Sequence, residues 1–327
     1  MAAPVFYTIS SVQYQGYKLT QRGPQVVLEA EDTDNPFQVW YKDDWWRFTE
    51  DKAGNPAFAL INNGSKAALK ADADATPSHV SLFTEYDRSK DTTLTTAWTL
   101  RAVSSSSEYV TIFSVALQMP LRLGIGASAP KPGEGVAAIL NASSSSATGT
   151  WTLEAFVPKA YILQSQWVSQ ILVAKPPHTD VTFTSGAGSF NNELGVVGVN
   201  QANTNGVQEV WYKVPAASPL EDSNSSFFII SKMNGKALKG STKPGDKVIL
   251  TEFDPLDYNF VWSEDRSLSN GQRYLAINLA NSDSKLHWFL PPDNEYQNAA
   301  YNHPLTLREA TSSSNTRSQW SFVPFTS

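Results

Sequence analysis

Short runs of β-branched and aromatic residues alternate along the chain with clusters of turn-forming residues. Val26-Val27-Leu28 is one such run, Phe58–Ile61 is followed by Asn62–Ser65, and Phe227–Ile230 precedes the turn Asn234-Gly235. Runs of this length, bounded by Gly, Asn and Ser, indicate β-strands, and no convincing stretch has the periodicity of an amphipathic helix. The pattern predicts an all-β protein.

The chain contains an internal duplication. Trp40-Tyr41-Lys42 recurs as Trp211-Tyr212-Lys213, and Phe156-Val157-Pro158 recurs as Phe322-Val323-Pro324. These offsets define a repeating unit of roughly 160 to 170 residues, which is long enough for one domain. We therefore predict two domains, residues 1–157 and residues 158–327.

Tryptophans mark a shorter repeat inside each half. They recur at intervals of about 50 to 60 residues and stand at Trp40, Trp98, Trp151, Trp211, Trp262 and Trp320. Each half is therefore interpreted as three subunits of four short strands. Three such modules closing into one barrel-like body form a β-trefoil, so the prediction is two tandem β-trefoil domains.

Composition excludes several functional classes. The formal net charge is −6 and no run of Lys and Arg occurs, so the chain lacks the basic stripe of a nucleic-acid binder. It has no cysteine, which excludes disulfides and thiolate chemistry. Met1–Ser11 has no signal-peptide pattern, and no stretch of about 18 apolar residues occurs. We expect a soluble intracellular protein without membrane insertion.

Catalytic motifs are also missing from the sequence. The histidines lie in no motif with a nucleophile, and the Gly-x-Ser-x-Gly pattern does not occur. Acidic groups such as Glu31, Asp32 and Asp34 lie in turn-rich stretches without a nearby histidine, which is typical of solvated loops. We expect a protein that is not an enzyme and needs no metal or cofactor.

Several segments together resemble a known family. They are Val39–Asp43, Asn55–Asn62, Lys66–Lys70 and Val80–Phe83, with weaker counterparts around Trp211 and in Gly235–Lys239. The first copy is similar to the Euonymus-related (EUL) lectin domain of plants. This resemblance implies β-trefoil domains, a location in the cytoplasm and nucleus, no metal requirement, and binding of glycans rather than catalysis.

The third subunit carries the sugar-binding residues in that family, and here it differs between the copies. In the first copy the early position of the set aligns with about Gly124, and the later positions hold no amide or carboxylate. In the second copy the resemblance implies a partial site formed by Asn278, Asn315 and Gln319. A pyranose site needs an aromatic plane and paired polar groups, so we expect a degenerate site in at least one domain.

Asp43-Asp44-Trp45-Trp46 is an alternative site in the first copy. Four such side chains cannot all point inward on a strand, so one Trp and one Asp should face solvent. The motif predicts either a sugar-stacking platform or aromatics that close the barrel and cover a hairpin. Its counterpart, Val214-Pro215-Ala216-Ala217, lacks these groups, so any such function would belong to the first domain only.

A second aromatic segment, His287–Asp293, contains Trp288. It either lines a relocated pocket with Tyr296 and Tyr301 or packs on the barrel.

Two functional hypotheses remain open. The leading one is a metal-independent lectin that binds glycans or glycoproteins, with two sites on one chain adding avidity. The alternative is a lectin-derived interaction or scaffold protein that has lost sugar binding and recognises a protein partner.

Overall fold

The chain is all-β in the computed structural model. The structure describes residues 5–72, 79–84, 86–88, 93–103, 108–124, 136–140, 149–166, 170–174, 196–200, 210–218, 226–268, 274–282, 285–290, 303–309 and 316–325. Within these ranges the regular elements are β-strands and three-residue 3-10 helices, with no α-helix and no helix long and apolar enough to cross a membrane. The chain divides into two compact units, one spanning Val5–Val157 and one beginning at Pro158.

The described part of the first unit contains twelve strands. They are β1 (Phe6–Ser11), β2 (Tyr17–Arg22), β3 (Gln25–Ala30), β4 (Trp40–Asp43), β5 (Ala59–Asn62), β6 (Ala68–Asp72), β7 (His79–Phe83), β8 (Trp98–Ala102), β9 (Val110–Ser114), β10 (Met119–Leu123), β11 (Val136–Leu140) and β12 (Trp151–Ala155).

Six of these strands close into a ring. β1 pairs with β4, β4 with β5, β8 with β9, β9 with β12, and β12 again with β1. The bridge between Phe58 and Trp98 joins β5 to β8 and completes the ring. The remaining strands form three antiparallel hairpins, β2–β3, β6–β7 and β10–β11, and β11 pairs with both β3 and β7. One ring strand, one hairpin and a second ring strand therefore repeat three times.

The second unit repeats this arrangement. Its strands are β13 (Lys159–Ser165), β14 (Gln170–Ala174), β15 (Val196–Asn200), β16 (Val210–Ala216), β17 (Ser226–Ser231), β18 (Ala237–Lys239), β19 (Ile249–Thr251), β20 (Trp262–Asp265), β21 (Leu275–Leu279), β22 (Leu286–Phe289), β23 (His303–Pro304), β24 (Thr306–Glu309) and β25 (Gln319–Pro324). The ring runs β13, β16, β17, β20, β21, β25 and back to β13. The hairpins are β14–β15, β18–β19 and β22–β24.

The six tryptophans that marked the sequence repeat are all buried in these two cores. In five of them the indole N–H donates to a leucine carbonyl on the hairpin of the same subunit, at 2.8 to 3.0 Å. The pairs are Trp40 with Leu19, Trp98 with Leu69, Trp151 with Leu121, Trp211 with Leu172 and Trp262 with Leu238. Each bond ties a hairpin to the ring while satisfying a buried donor.

The sixth subunit departs from this rule. Phe113 of the first unit and Asn278 of the second occupy equivalent ring positions. Phe113 pairs with Pro120 and Asn278 with His287, so the residues that follow, Leu121 and Trp288, are also equivalent. Trp288 therefore stands where the first unit has Leu121. The ring of Trp288 meets those of Trp262 and Trp320 edge to face, with centroids 5.1 and 5.5 Å apart. The indole nitrogen of Trp320 has no hydrogen-bond partner within the described ranges. Aromatic packing therefore replaces the hydrogen bond at this position.

Replacing Trp262 or Trp320 by phenylalanine compares a bonded tryptophan with an unbonded one. Both changes remove similar volume, but only Trp262→Phe removes a hydrogen bond from the buried Leu238 carbonyl. We expect Trp262→Phe to lower the free energy of unfolding by about 1 kcal/mol more than Trp320→Phe. Urea denaturation of the full chain measures both values. Equal losses would show that the indole hydrogen bond makes no net contribution.

Candidate functional site

A capped 3-10 helix positions the aromatic motif of the first unit. Asp43 ends β4, and Asp44–Trp46 form the helix that follows. The Asp43 carboxylate accepts a hydrogen bond from the backbone N–H of Trp45 at 3.1 Å, as aspartate does at helix N-termini. Its other oxygen accepts from Nε of Arg88 at 2.7 Å. Asp43 is buried, and both of its carboxylate oxygens are used in hydrogen bonds that hold the turn.

The side chains of this turn divide between solvent and core. Trp45 is 52% exposed and the Asp44 side chain 59% exposed, whereas Trp46 packs against Ala57, Ala97 and neighbouring apolar residues. The prediction that one Trp and one Asp face solvent is confirmed. The reason differs from the predicted one, because a 3-10 helix and not an alternating strand separates the side chains.

Phe48 extends the exposed aromatic surface. It is 86% exposed, and the guanidinium of Arg47 lies over its ring with Cζ 4.6 Å from the centroid. A 3-10 helix has three residues per turn, and Arg47 continues in helical conformation, so the side chains of Trp45 and Phe48 project to the same side. We call the segment Asp44–Phe48 the aromatic turn. It presents two exposed aromatic rings, one of which has a guanidinium over it, together with an exposed carboxylate in the same turn.

The chain after the aromatic turn is held by a buried carboxylate that sequence reasoning missed. The Asp51 side chain is fully buried and accepts hydrogen bonds from the backbone N–H groups of Ala53 and Asn55, from the Asn55 amide, from Thr99 at 2.8 Å and from Nε of Arg101 at 2.8 Å. Burial raises the pKa of this carboxyl, but the hydrogen bonds outweigh it and hold the pKa well below its usual range. The group stays ionised.

The second unit lacks an equivalent aromatic turn in its described part. Val214 stands three residues after Trp211, as Asp43 does after Trp40, and it is a fully buried apolar residue of β16. A related turn follows β20, where Asp265 accepts from the backbone N–H of Ser267 at 2.9 Å. Ser267 occupies the place of Trp45 there, so this turn offers no stacking surface.

The structure places two of the residues implied for the second copy on one face of the ring. Asn278 lies on β21 opposite Ser263, and Gln319 lies on β25 opposite Ala276. In-register neighbours share a face of the sheet. Asn278 is only 6% exposed and Gln319 1%, and both are bonded within the protein: Ser263 Oγ donates to Asn278 Oδ1 at 2.7 Å, and the Gln319 amide donates to the carbonyl of Leu268.

Three further points concern the remaining candidates. Asn315, Tyr296 and Tyr301 lie outside the described residues. Trp288 is fully buried among the core tryptophans, so it does not line a surface pocket and instead packs inside the barrel. The sequence alignment made Gly124 of the first copy equivalent to Asn278 of the second, and the strand register shows that this is wrong. Phe113 pairs with Thr99 as Asn278 pairs with Ser263, so Phe113 is the equivalent of Asn278.

A buried histidine–aspartate contact lies beside Asn278. His287 Nε2 is 3.2 Å from Asp265 Oδ2, and His287 pairs in register with Asn278 on one side and Arg308 on the other. Burial lowers the pKa of His287, and the contact with Asp265 only partly opposes this. Burial raises the pKa of Asp265, but hydrogen bonds from Ser267 and His287 outweigh it, so the pKa of Asp265 lies below its ordinary value. In the described part of the chain no three His, Asp or Glu side chains are grouped as metal ligands.

Two curated plant proteins are similar to this chain. A ricin B-like lectin of Oryza sativa subsp. japonica is 24% identical over 280 residues, which cover 80% of this chain and 79% of that protein. A ricin B-like lectin of Arabidopsis thaliana is 38% identical over 66 residues, which cover 20% of this chain and 21% of that protein. No protein-family model matches the chain. These similarities support a ricin B-like lectin family and a protein that is not an enzyme.

Solved structures show a more distant similarity. The hemolytic lectin CEL-III matches 98% of this chain with 64% of its own, at 10% identity and a TM-score of 0.38. A mosquitocidal holotoxin matches the whole chain with 35% of its own, at 13% identity and a TM-score of 0.37. A ricin B-like lectin of Macrolepiota procera in complex with lactose matches 47% of this chain with 98% of its own, at 16% identity and a TM-score of 0.36.

The His287–Asp265 pair predicts a pH dependence of stability. Because the pKa of His287 in the folded protein lies below its ordinary value of 6.5, the unfolded chain binds a proton at this residue first as the pH falls. The free energy of unfolding should therefore decrease as the pH drops through that value. Urea denaturation of the full chain and of His287→Gln across this range measures the effect. An equally steep decrease in His287→Gln would contradict the assignment.

Proposed function

We propose that this protein, similar to plant ricin B-like lectins, binds glycans non-covalently and without a metal ion through two tandem β-trefoil domains of the EUL type. The closed six-stranded ring and the three hairpins of each unit support the trefoil assignment. The location that accompanies this proposal is the cytoplasm and nucleus, as the resemblance implies.

The observation that carries a specific site is the exposure of Trp45 on a turn whose backbone is fixed. A pyranose has an apolar face that stacks on an aromatic ring and a polar rim that needs hydrogen-bond partners. Trp45 and Phe48 provide the planes, Arg47 provides a donor over the Phe48 ring, and the exposed carboxylate of Asp44 in the same turn provides an acceptor. We therefore assign glycan binding to the aromatic turn of the first domain.

The second domain is the degenerate one in this proposal. Asn278 and Gln319 are buried, and their bonds to Ser263 and Leu268 would have to break before either could bind a sugar hydroxyl. Breaking a buried hydrogen bond costs about 1 to 3 kcal/mol when a partner is left unpaired. We propose that these two side chains stabilise the barrel and that recognition takes place elsewhere.

A glycan array of the full chain, followed by titration of the best ligand, tests the proposal. We expect Trp45→Ala to weaken affinity about tenfold, since loss of a stacking plane costs about 1.4 kcal/mol. Trp45→Phe should retain most of the affinity and Trp45→Leu should not, because only phenylalanine keeps a ring. Val157→Ala, at another exposed apolar residue, is the control and should bind normally.

The outcomes separate the two functional hypotheses. If the wild-type chain binds no glycan on the array, the scaffold alternative with a protein partner would be favoured. Binding that survives Trp45→Ala would place the glycan site outside the aromatic turn.

A further inference from the structure

The aromatic turn is connected by a continuous set of contacts to the segment that leads into β5. The backbone N–H of Thr49 donates to the carbonyl of Trp46 at 2.7 Å, and the N–H of Ala57 donates to the carbonyl of Thr49 at 2.8 Å. Ala57 is also one of the buried apolar residues against which Trp46 packs. The segment 49–57 therefore forms the support on which the turn rests.

Asp51 fixes this segment internally. It binds Ala53 and Asn55 within the segment, and the backbone N–H of Asp51 donates to the carbonyl of Asn55 at 3.0 Å. These bonds close the segment on itself around one buried carboxylate. Without an ionised acceptor at its centre, the N–H groups of Ala53 and Asn55 would lose their shared partner.

Arg101 and Thr99 attach the same carboxylate to the ring. Both lie on β8 and donate to Asp51 Oδ2 at 2.8 Å. The Arg101 guanidinium also lies over the ring of Phe113 on the adjacent strand β9, with Cζ 3.3 Å from the ring centroid. The cation is thus held between a carboxylate and an aromatic ring, which limits the movement of both.

We call Asp51, Arg101 and Phe113 the clamp. The second unit has neither the arginine nor the phenylalanine on the equivalent strands. Register places Asp265 at the position of Arg101 and Asn278 at the position of Phe113. Asp265 pairs with His287 instead. The clamp and the exposed tryptophan therefore occur in the same unit, and in the described part of the other unit both are replaced.

We propose that Asp51 and Arg101 are positioning residues that hold the aromatic turn in its glycan-binding conformation. The inference rests on the proposed function of that turn. A turn that is ordered before binding does not pay the cost of ordering its side chains on contact with the ligand. The clamp would therefore raise affinity without touching the glycan.

The experiment combines a structural readout with a binding readout on the full chain. The protein is labelled with 5-fluorotryptophan, and the ¹⁹F resonances of Trp45 and Trp46 are assigned from the Trp45→Phe and Trp46→Phe spectra. We expect Arg101→Leu to shift or broaden these two resonances while those of the second unit stay unchanged, and to weaken glycan affinity about fivefold. Arg101→Lys, which retains the charge near Asp51, should restore part of the wild-type ¹⁹F spectrum and part of the glycan affinity.

A control variant separates positioning from general loss of an ion pair. Lys18 is buried on β2 and pairs with Glu154 at 3.0 Å in the same unit, so Lys18→Met removes a comparable charge from another part of that unit. It should leave the Trp45 resonance and the affinity unchanged. If Arg101→Leu unfolds the first unit, Thr99→Val removes one donor from Asp51 with little change of shape and should give a smaller shift in the same direction.

The possible results distinguish this inference from the proposed function. Unchanged Trp45 and Trp46 resonances in folded Arg101→Leu and Thr99→Val would overturn the positioning role. Changed resonances with unaltered glycan affinity would overturn the claim that order of the turn contributes to binding. A wild-type chain that binds no glycan would remove the proposed function, while the ¹⁹F spectra would still report whether the clamp orders the turn.

Discussion

Both units depend on the hydrogen bond between a buried tryptophan and the carbonyl of a hairpin leucine. The ring of six strands supplies the indole N–H, and five of the six hairpins supply the acceptor, so one bond fixes each of these hairpins to the ring and satisfies a buried donor. The same side chains fill the centre of each core. Position, polarity and volume at these sites are therefore constrained together, which explains why the tryptophans are the most regular feature of the sequence.

Because the inward face is fixed in this way, the outward face can differ between the two copies without a change of fold. Arg101 of the first unit and Asp265 of the second occupy equivalent positions, and so do Phe113 and Asn278. Each of these side chains is stabilised by its own local partner. The first unit uses its outer residues to support an exposed aromatic surface. The second uses them to bury a polar network. Differences in potential function therefore arise at the ring surface and in the loops, while the cores remain alike.

Sequence reasoning identified features that depend on local pattern. The strand-rich composition, the buried tryptophans and the exposure of one Trp and one Asp in Asp43–Trp46 follow from periodicity and from steric limits on adjacent large residues. The Asp51–Arg101 contact was missed because its partners lie 50 residues apart and no local rule joins them. Trp288 was misplaced because an aromatic residue in a divergent segment looks the same in sequence whether it replaces a core leucine or lies at the surface.

The spacing between bonded partners varies far more than the bond itself. Trp40 follows its leucine by 21 residues, whereas Trp211 follows Leu172 by 39, yet their donor–acceptor distances are 2.9 and 3.0 Å. The bond geometry is thus independent of the length of chain between the two anchoring residues, since loop closure costs little more as length grows. Changes of chain length between a hairpin leucine and its tryptophan should therefore be tolerated, which makes this interval the natural place for grafting foreign peptides.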